Sequence, residues 1–201
     1  KIVGEHEMNK TYISVIAALL MVVSAAANAG PGKGKNPGDM SIYQIAGSTG
    51  IHTTLVALLD RVGLGEGGAT DVAGQFTVFA PTDEAFDRLI TNLYANLPEK
   101  TVDDLLANDD YITGVLLYHV LDGRRFSNSV FNQKNMKELE TLCVGQTLWS
   151  KPNLTIMDSN DLTPNAGIVS VDGTLVANIS ASNGVIHVTD EVFLPGGECE
   201  L

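Results

Sequence analysis

Two turn dipeptides near the C-terminal end, Asp172-Gly173 and Asn183-Gly184, place the tightest limit on what this chain can fold into. They separate three runs rich in β-branched residues: Ile168–Val171, Thr174–Ile179 and Val185–Leu194. Asp-Gly and Asn-Gly favour the two-residue hairpin turns whose twist matches that of paired strands. The second half therefore reads as two hairpins, β-rich and antiparallel. Strand alternation puts Ile186, Val188, Val192 and Leu194 on one face of the last run and Val185, His187 and Thr189 on the other. Pro195 and Gly196 end it.

The first half carries a different period. Ile42, Ile45 and Ala46 begin one helical pattern, and Leu55, Leu58, Leu59 and Val62 form a second that stops at Gly63. Gln75–Ala80 is a buried strand ended by Pro81. Thr82 then stands where it can cap a helix, with Asp83 and Glu84 at the positive end of the helix dipole. Phe86, Leu89, Ile90 and Leu93 make the apolar stripe of that helix. Thr101-Val102-Asp103-Asp104 resembles a capping-box start to another. Ile112, Val115, Leu116, His119 and Val120 continue at helical spacing, which predicts that His119 lies on a core-facing stripe. Helices first and antiparallel strands afterward predict an α+β fold, not a doubly wound sheet. The glycine-rich stretch 63–68 follows a helix rather than a strand, so it is a loop and not a dinucleotide fingerprint.

Charge and cysteine content narrow the function classes. Twelve Lys+Arg against 24 Asp+Glu give a net charge of −12, which leaves nothing to neutralise a row of phosphates and argues against nucleic-acid binding. Two cysteines are too few for a Cys-rich zinc cage. Residues 8–29 read as a secretory signal. Met8-Asn9-Lys10 is the positive start, Ile13–Val23 the apolar stretch, and Ala27-x-Ala29 the cleavage pattern. A membrane anchor is the rival reading, but the run falls short of the about 20 apolar residues needed to span, and no stable membrane insertion of the mature chain is expected. Residues 1–7 read as an upstream extension or scar, 30–38 as a flexible Gly- and Pro-rich linker, 39–195 as one domain, and 196–201 as a tail. The short leader has a bacterial look, so the expected location is secreted or periplasmic. Export would expose Cys143 and Cys199 to an oxidising compartment, where they either pair or remain two thiols.

Three segments, in order, resemble the signature segments of the fasciclin (FAS1) domain. Thr77-Val78-Phe79-Ala80-Pro81-Thr82-Asp83-Glu84-Ala85-Phe86 looks like the first signature, Leu117-Tyr118-His119-Val120-Leu121 is similar to the Tyr-His motif, and Ala181 to Asp190 resembles the second signature. Phe193-Leu194-Pro195 matches the usual ending. The resemblance implies a wedge-shaped β core flanked by helices from the N-terminal half. It implies an exported adhesion or interaction module, with no catalytic centre and no obligatory cofactor. Its structural positions are Thr77, Phe79, Pro81, Thr82, Asp83, Phe86, Tyr118, His119, Asn183, Gly184, His187 and Asp190. Animal members carry an Asp-Ile pair linked to integrin recognition. The matching positions here are Asn178-Ile179, which cannot offer a carboxylate to a receptor-bound metal.

The remaining suggestive residues have bland readings. His119 and His187 could form a metal or acid/base pair, but both fit hydrogen-bonded core positions better. His119 is expected to tie its helix to the Pro81–Asp83 turn. Asp158-Ser159-Asn160-Asp161 begins like a calcium loop and fails at Leu162-Thr163. Asp103-Asp104 and Asp109-Asp110 read as helix-start charges, and Arg124-Arg125 as solvated surface. Asn153-Leu154-Thr155 and Asn178-Ile179-Ser180 are glycosylation sequons. Trp149 and Tyr118 suit either core packing or a partner. No Gly-x-Ser-x-Gly elbow exists. The leading expectation is a non-catalytic module that binds a cell-surface or extracellular protein or polysaccharide, with loops 63–74 and 158–167 as contacts. An envelope protein that binds a small ligand or polysaccharide comes second, and a hydrolase third.

Overall fold

Gly184 is where the two ends of the domain meet. A Cβ at this position would stand 2.1 Å from the Phe76 carbonyl oxygen and 2.7 Å from Ile42 Cδ1. Glycine therefore lets strand β10 (Gly184–Thr189) lie directly beside β1 (Phe76–Pro81). The computed structural model describes residues 37–67, 74–131, 134–160, 164–171 and 173–199. The two strands run parallel, with Val78 opposite Ile186, Phe79 opposite His187 and Ala80 opposite Val188. This parallel pair lies at the centre of an otherwise antiparallel sheet. The sheet has the order β2-β1-β10-β9, where β2 is Val120–Asp122 and β9 is Ile179–Ala181.

Both faces of the central pair are covered, and alternation divides the interior in two. Val78, Ala80, Ile186 and Val188 join a core built largely from helices, while Phe79 joins a second core with Tyr118, Leu121, Phe131 and Phe193. The helices of the first core are α1 (Ile42–Thr49), α2 (Thr53–Arg61), α3 (Asp83–Asn96), α4 (Glu99–Ala107) and α5 (Asp109–Tyr118). They bury Ile45, Leu55, Leu89, Leu93, Val102 and Leu116, each contributing about 1.5–3 kcal/mol on removal from water. A short helix, α6 (Ser127–Val130), leads to a second sheet of β3 (Lys137–Glu140), β4 (Thr147–Ser150), β5 (Thr155–Met157) and β6 (Ala166–Gly167). Leu139, Leu148 and Ile156 of that sheet fill the second core. The architecture is α+β, as the residue pattern predicts.

The Asp172-Gly173 hairpin forms as β7 (Ser170–Val171) and β8 (Thr174–Leu175), with Ser170 opposite Leu175. The run Thr174–Ile179 is not one strand, however. Asn178 turns to φ 59°, and Ile179 enters β9 in the central sheet. The second hairpin is closed by Ser182-Asn183, since Ala181 pairs with Gly184. The last strand stops at Thr189 rather than at Leu194. Beyond it, side-chain acceptors replace a strand partner: the Phe193 N–H donates to His119 Nε2 at 2.9 Å and the Leu194 N–H to Asp158 Oδ2 at 2.8 Å.

Two helix boundaries also move. Helix α4 begins at Glu99 behind Pro98, whose carbonyl accepts from Thr101 and Val102. Thr101 is therefore inside the helix, and Asp103-Asp104 are not helix-start charges. Helix α5 ends at Tyr118, so His119 is its C-cap and Val120 opens β2. Among the described residues no helix is long and apolar enough to cross a membrane. The segment 1–36, to which the expected leader and most of the expected linker belong, lies outside the described residues.

Candidate functional site

The signature residues gather around the β1–β10 pair, where their polar atoms serve the backbone. Thr77 Oγ1 donates to the Gly123 carbonyl at 2.7 Å and accepts from the Arg125 N–H at 2.8 Å, fixing the turn after β2. Thr82 caps α3 by accepting from the Ala85 N–H. Asp83 reaches back to a different helix. Its carboxylate accepts from the Thr53 and Thr54 N–H groups and from the Thr53 hydroxyl, capping α2, whose own N-cap residue His52 makes no side-chain cap bond. Burial works against the ionised Asp83, but these hydrogen bonds outweigh it and hold the carboxyl below its usual range.

The second signature braces in the same way. Asn183 Oδ1 accepts from the Ile42 N–H at 2.8 Å, at the start of α1. Asp190 Oδ1 accepts from the Gly167 N–H at 2.6 Å and fastens β6 to the end of β10. Tyr118, fully buried, donates its hydroxyl to the Thr147 carbonyl at 2.7 Å. Phe79 stands edge-on to Phe193, with centroids 5.6 Å apart, and tilts against His187 at 5.7 Å. Phe86 is buried in the helical core behind the Pro81 turn.

The two histidines are neutral structural groups in this geometry. The His119 Nδ1–H donates to the Val115 carbonyl at 2.8 Å, and Nε2 accepts from the Phe193 N–H. Its ring stacks on Phe193 at 4.7 Å. Burial pushes its pKa down to about 4, against a small upward pull from the Val115 bond. The His187 Nε2–H donates to the Arg125 carbonyl at 2.9 Å, and burial lowers this pKa too. His119 does not bind the Pro81–Asp83 turn as the residue pattern led us to expect. The end of α5 at Tyr118 directs its ring to Phe193 instead. The bond to Pro81 comes from His52, whose Nδ1–H donates to the Pro81 carbonyl at 2.9 Å. Sequence reasoning missed His52, and nothing local marks a partner 29 positions away. It also missed Glu191, a buried carboxylate paired with Arg88 at 2.8 Å, with Oε2 left unbonded and its pKa raised by burial.

The other sequence candidates disperse. Asp158 takes the Asn160 and Leu194 N–H groups, so its turn pins the C-terminal segment. Residues 161–163 lie outside the described residues. Among those described, no three His, Cys, Asp or Glu side chains converge as a metal site. Arg124 and Arg125 both bond within the fold: Arg124 to Gln75 and the Ala181 carbonyl, Arg125 to the Asp122 carbonyl. The Asn178 amide is engaged with the Ser127 N–H and hydroxyl. Trp149 is half-buried on β4, opposite Glu138 and Met157. Cys143 and Cys199 form a disulfide with Cα atoms 4.9 Å apart. It holds the C-terminal tail across Gly114 of α5, where a Cβ would lie 2.8 Å from Cys199 Sγ.

The helical layer also carries a concave feature. A cavity of about 210 Å³ opens between α2, α3, α4 and α5, walled by Leu58, Leu89, Leu93, Leu106 and Val115, with His119 and Leu194 also lining it. Both His119 nitrogens are already bonded, so that ring brings no free donor or acceptor to the wall.

Comparison with known proteins gives a coherent set. The fasciclin domain family model matches residues 50–195. Protein sll1483 of Synechocystis sp. is 35% identical over 78% of this chain and 74% of its own length. Immunogenic protein MPB70 of Mycobacterium bovis is 29% identical over 61% of this chain and 51% of its own, and cell surface glycolipoprotein MPB83 of the same species is 27% identical over 61% and 44%. A solved FAS1 domain pair from the insect cell adhesion molecule Fasciclin I overlaps 68% of this chain and 40% of its own, with TM-score 0.40 and 16% identity.

Proposed function

The chain belongs to the fasciclin domain family, and on that premise we propose that it is an exported, non-catalytic interaction module whose partner is a protein or polysaccharide at the cell surface or in the extracellular space. The observation that carries this reading is the use to which the signature side chains are put. The hydroxyls of Thr77 and Tyr118, the imidazoles of His119 and His187, and the carboxylates of Asp83 and Asp190 are bonded to backbone groups of other elements. A body whose signature side chains are spent on bracing its own backbone is suited to presenting loops. Among the described residues these groups form no poised nucleophile–base pair of the kind a hydrolase needs.

Three further points support the reading. A relative of this chain is named a cell surface glycolipoprotein. The Cys143–Cys199 bridge suits an oxidising compartment, secreted or periplasmic. The net charge of −12 favours neutral or basic partner surfaces through electrostatic selection. The proposal includes removal of residues 8–29 as a leader, with 30–38 as a tether and 39–195 as the binding unit. Loops 63–74 and 158–167 are the proposed contacts, although residues 68–73 and 161–163 lie outside the described residues.

The test uses beads coated with the oxidised protein and challenged with native envelope material and purified extracellular polysaccharide. Saturable binding that survives high salt and is competed by free protein is expected. Absence of saturable binding to either material, or turnover of an envelope metabolite, would refute the reading. Mass spectrometry of the mature protein should find Gly30 at its N-terminus.

A further inference from the structure

We propose that the cavity between α2, α3, α4 and α5 is a binding site for a compact, uncharged apolar molecule of one or two fused rings that carries a single hydrogen-bonding group. Packed interiors hold few voids larger than a water molecule, and an unfilled void destabilises in proportion to its volume. A concavity of about 210 Å³ is therefore more than a packing gap and has room for a small molecule. A leucine- and phenylalanine-lined cavity of about 150 Å³ stays dry and takes up benzene, so this one has room for a second ring. Apolar side chains from four helices form most of its walls.

Besides His119, three polar residues line the cavity, Thr54, Tyr111 and Arg61, and they set the ligand's polar character. The Arg61 guanidinium is committed to the Leu106 and Ala107 carbonyls at 2.9 and 3.1 Å and to Asp109 at 2.6 Å. It offers no spare cation to an anionic head. The Thr54 N–H is taken by Asp83. Tyr111 is half-buried, and its phenol has no hydrogen-bond partner among the described residues. That hydroxyl is not among the buried unpartnered atoms, so a ligand acceptor beside the apolar body would take the place of water on it, as binding pockets do with a few placed polar groups. This site is independent of loop-mediated adhesion, and either assignment can fail without the other.

The experiment titrates the full-length oxidised protein with naphthol, naphthalene and naphthoate while following methyl resonances by NMR. Saturable shifts at Leu58, Leu89, Leu93 and Val115 are expected, with a Kd for naphthol of about 100 µM or tighter. Naphthol should bind roughly 3- to 10-fold more tightly than naphthalene, the range one net hydrogen bond supplies, and naphthoate more weakly than naphthol. Tyr111→Phe should bring naphthol down to the affinity of naphthalene without changing Tm. Ile90→Trp, at a half-buried position in the lining, should block all three probes while the fold is retained. Failure of every probe to saturate overturns the site, as do shifts confined to other parts of the molecule. Equal naphthol and naphthalene affinities in the wild type, or a naphthol affinity unmoved by Tyr111→Phe, overturn the role given to Tyr111.

Discussion

Acid should unfold this protein earlier than its carboxylates alone would dictate, and His119 sets much of the effect. In the native state its Nδ1–H donates to Val115 and its Nε2 accepts from Phe193, so only the neutral ring satisfies both contacts. Burial holds its pKa near 4, whereas an unfolded histidine titrates near 6.5. The folded pKa is depressed, so the stabilisation is present above about pH 6.5 and is lost as pH falls toward 4, because the unfolded chain takes up the proton first. With those two values the loss is about 2 kcal/mol at pH 5 and about 3 kcal/mol at pH 4. His52 and His187, also lowered by burial, act with the same sign. Urea midpoints measured between pH 7 and pH 5 give the slope directly, and His119→Gln should flatten it by roughly 1 kcal/mol per pH unit. The imidazole C–H resonance of His119 should not move across that range in the folded protein. Equal slopes for wild type and variant, or a native His119 titrating near pH 6, would defeat the reasoning.

Two other perturbations follow from the covalent and backbone constraints. Replacing Cys143 and Cys199 together by Ala opens a loop closed across 56 positions, which on the loop-entropy account costs about 4 kcal/mol in chemical denaturation; a loss under about 1 kcal/mol would remove the bridge from the stability argument. Gly184→Ala should cost about 3 kcal/mol or more, because the new Cβ meets backbone at Phe76. Gly47→Ala, in α1 with open space around the new Cβ, should instead stabilise by about 0.4–1 kcal/mol in the same assay.

The parts of this fold that could be read from the residues are those fixed by local chemistry. Thr82 caps a helix because the hydroxyl, the break at Pro81 and the following acids all act within one turn. The Asp172-Gly173 hairpin needs no distant partner either. What stayed hidden depends on tertiary contacts. The parallel pairing of β1 with β10 joins segments with most of the domain between them, and no periodicity encodes direction. Strands β3 to β5 have three or four residues, and Leu139, Leu148 and Ile156 are each a single core position, too few for an alternation to register. Helical spacing carried on through His119 and Val120 because a strand that enters the same core continues an apolar run. That His119 and His187 sit at buried, hydrogen-bonded positions was legible, but their partners were not: His52, not His119, holds Pro81.

The β1–β10 pairing also orders events in time. In a chain delivered N-terminus first, Phe76 cannot meet Gly184 until the residues between them have emerged. Until then the edge of β1 that β10 covers has no strand partner, and the centre of the sheet is incomplete. Such long-range closure is slow and leaves an apolar strand uncovered meanwhile. Completion of the sheet therefore rests on a segment far along the chain, and an edge left open meanwhile is exposed to pairing with other chains.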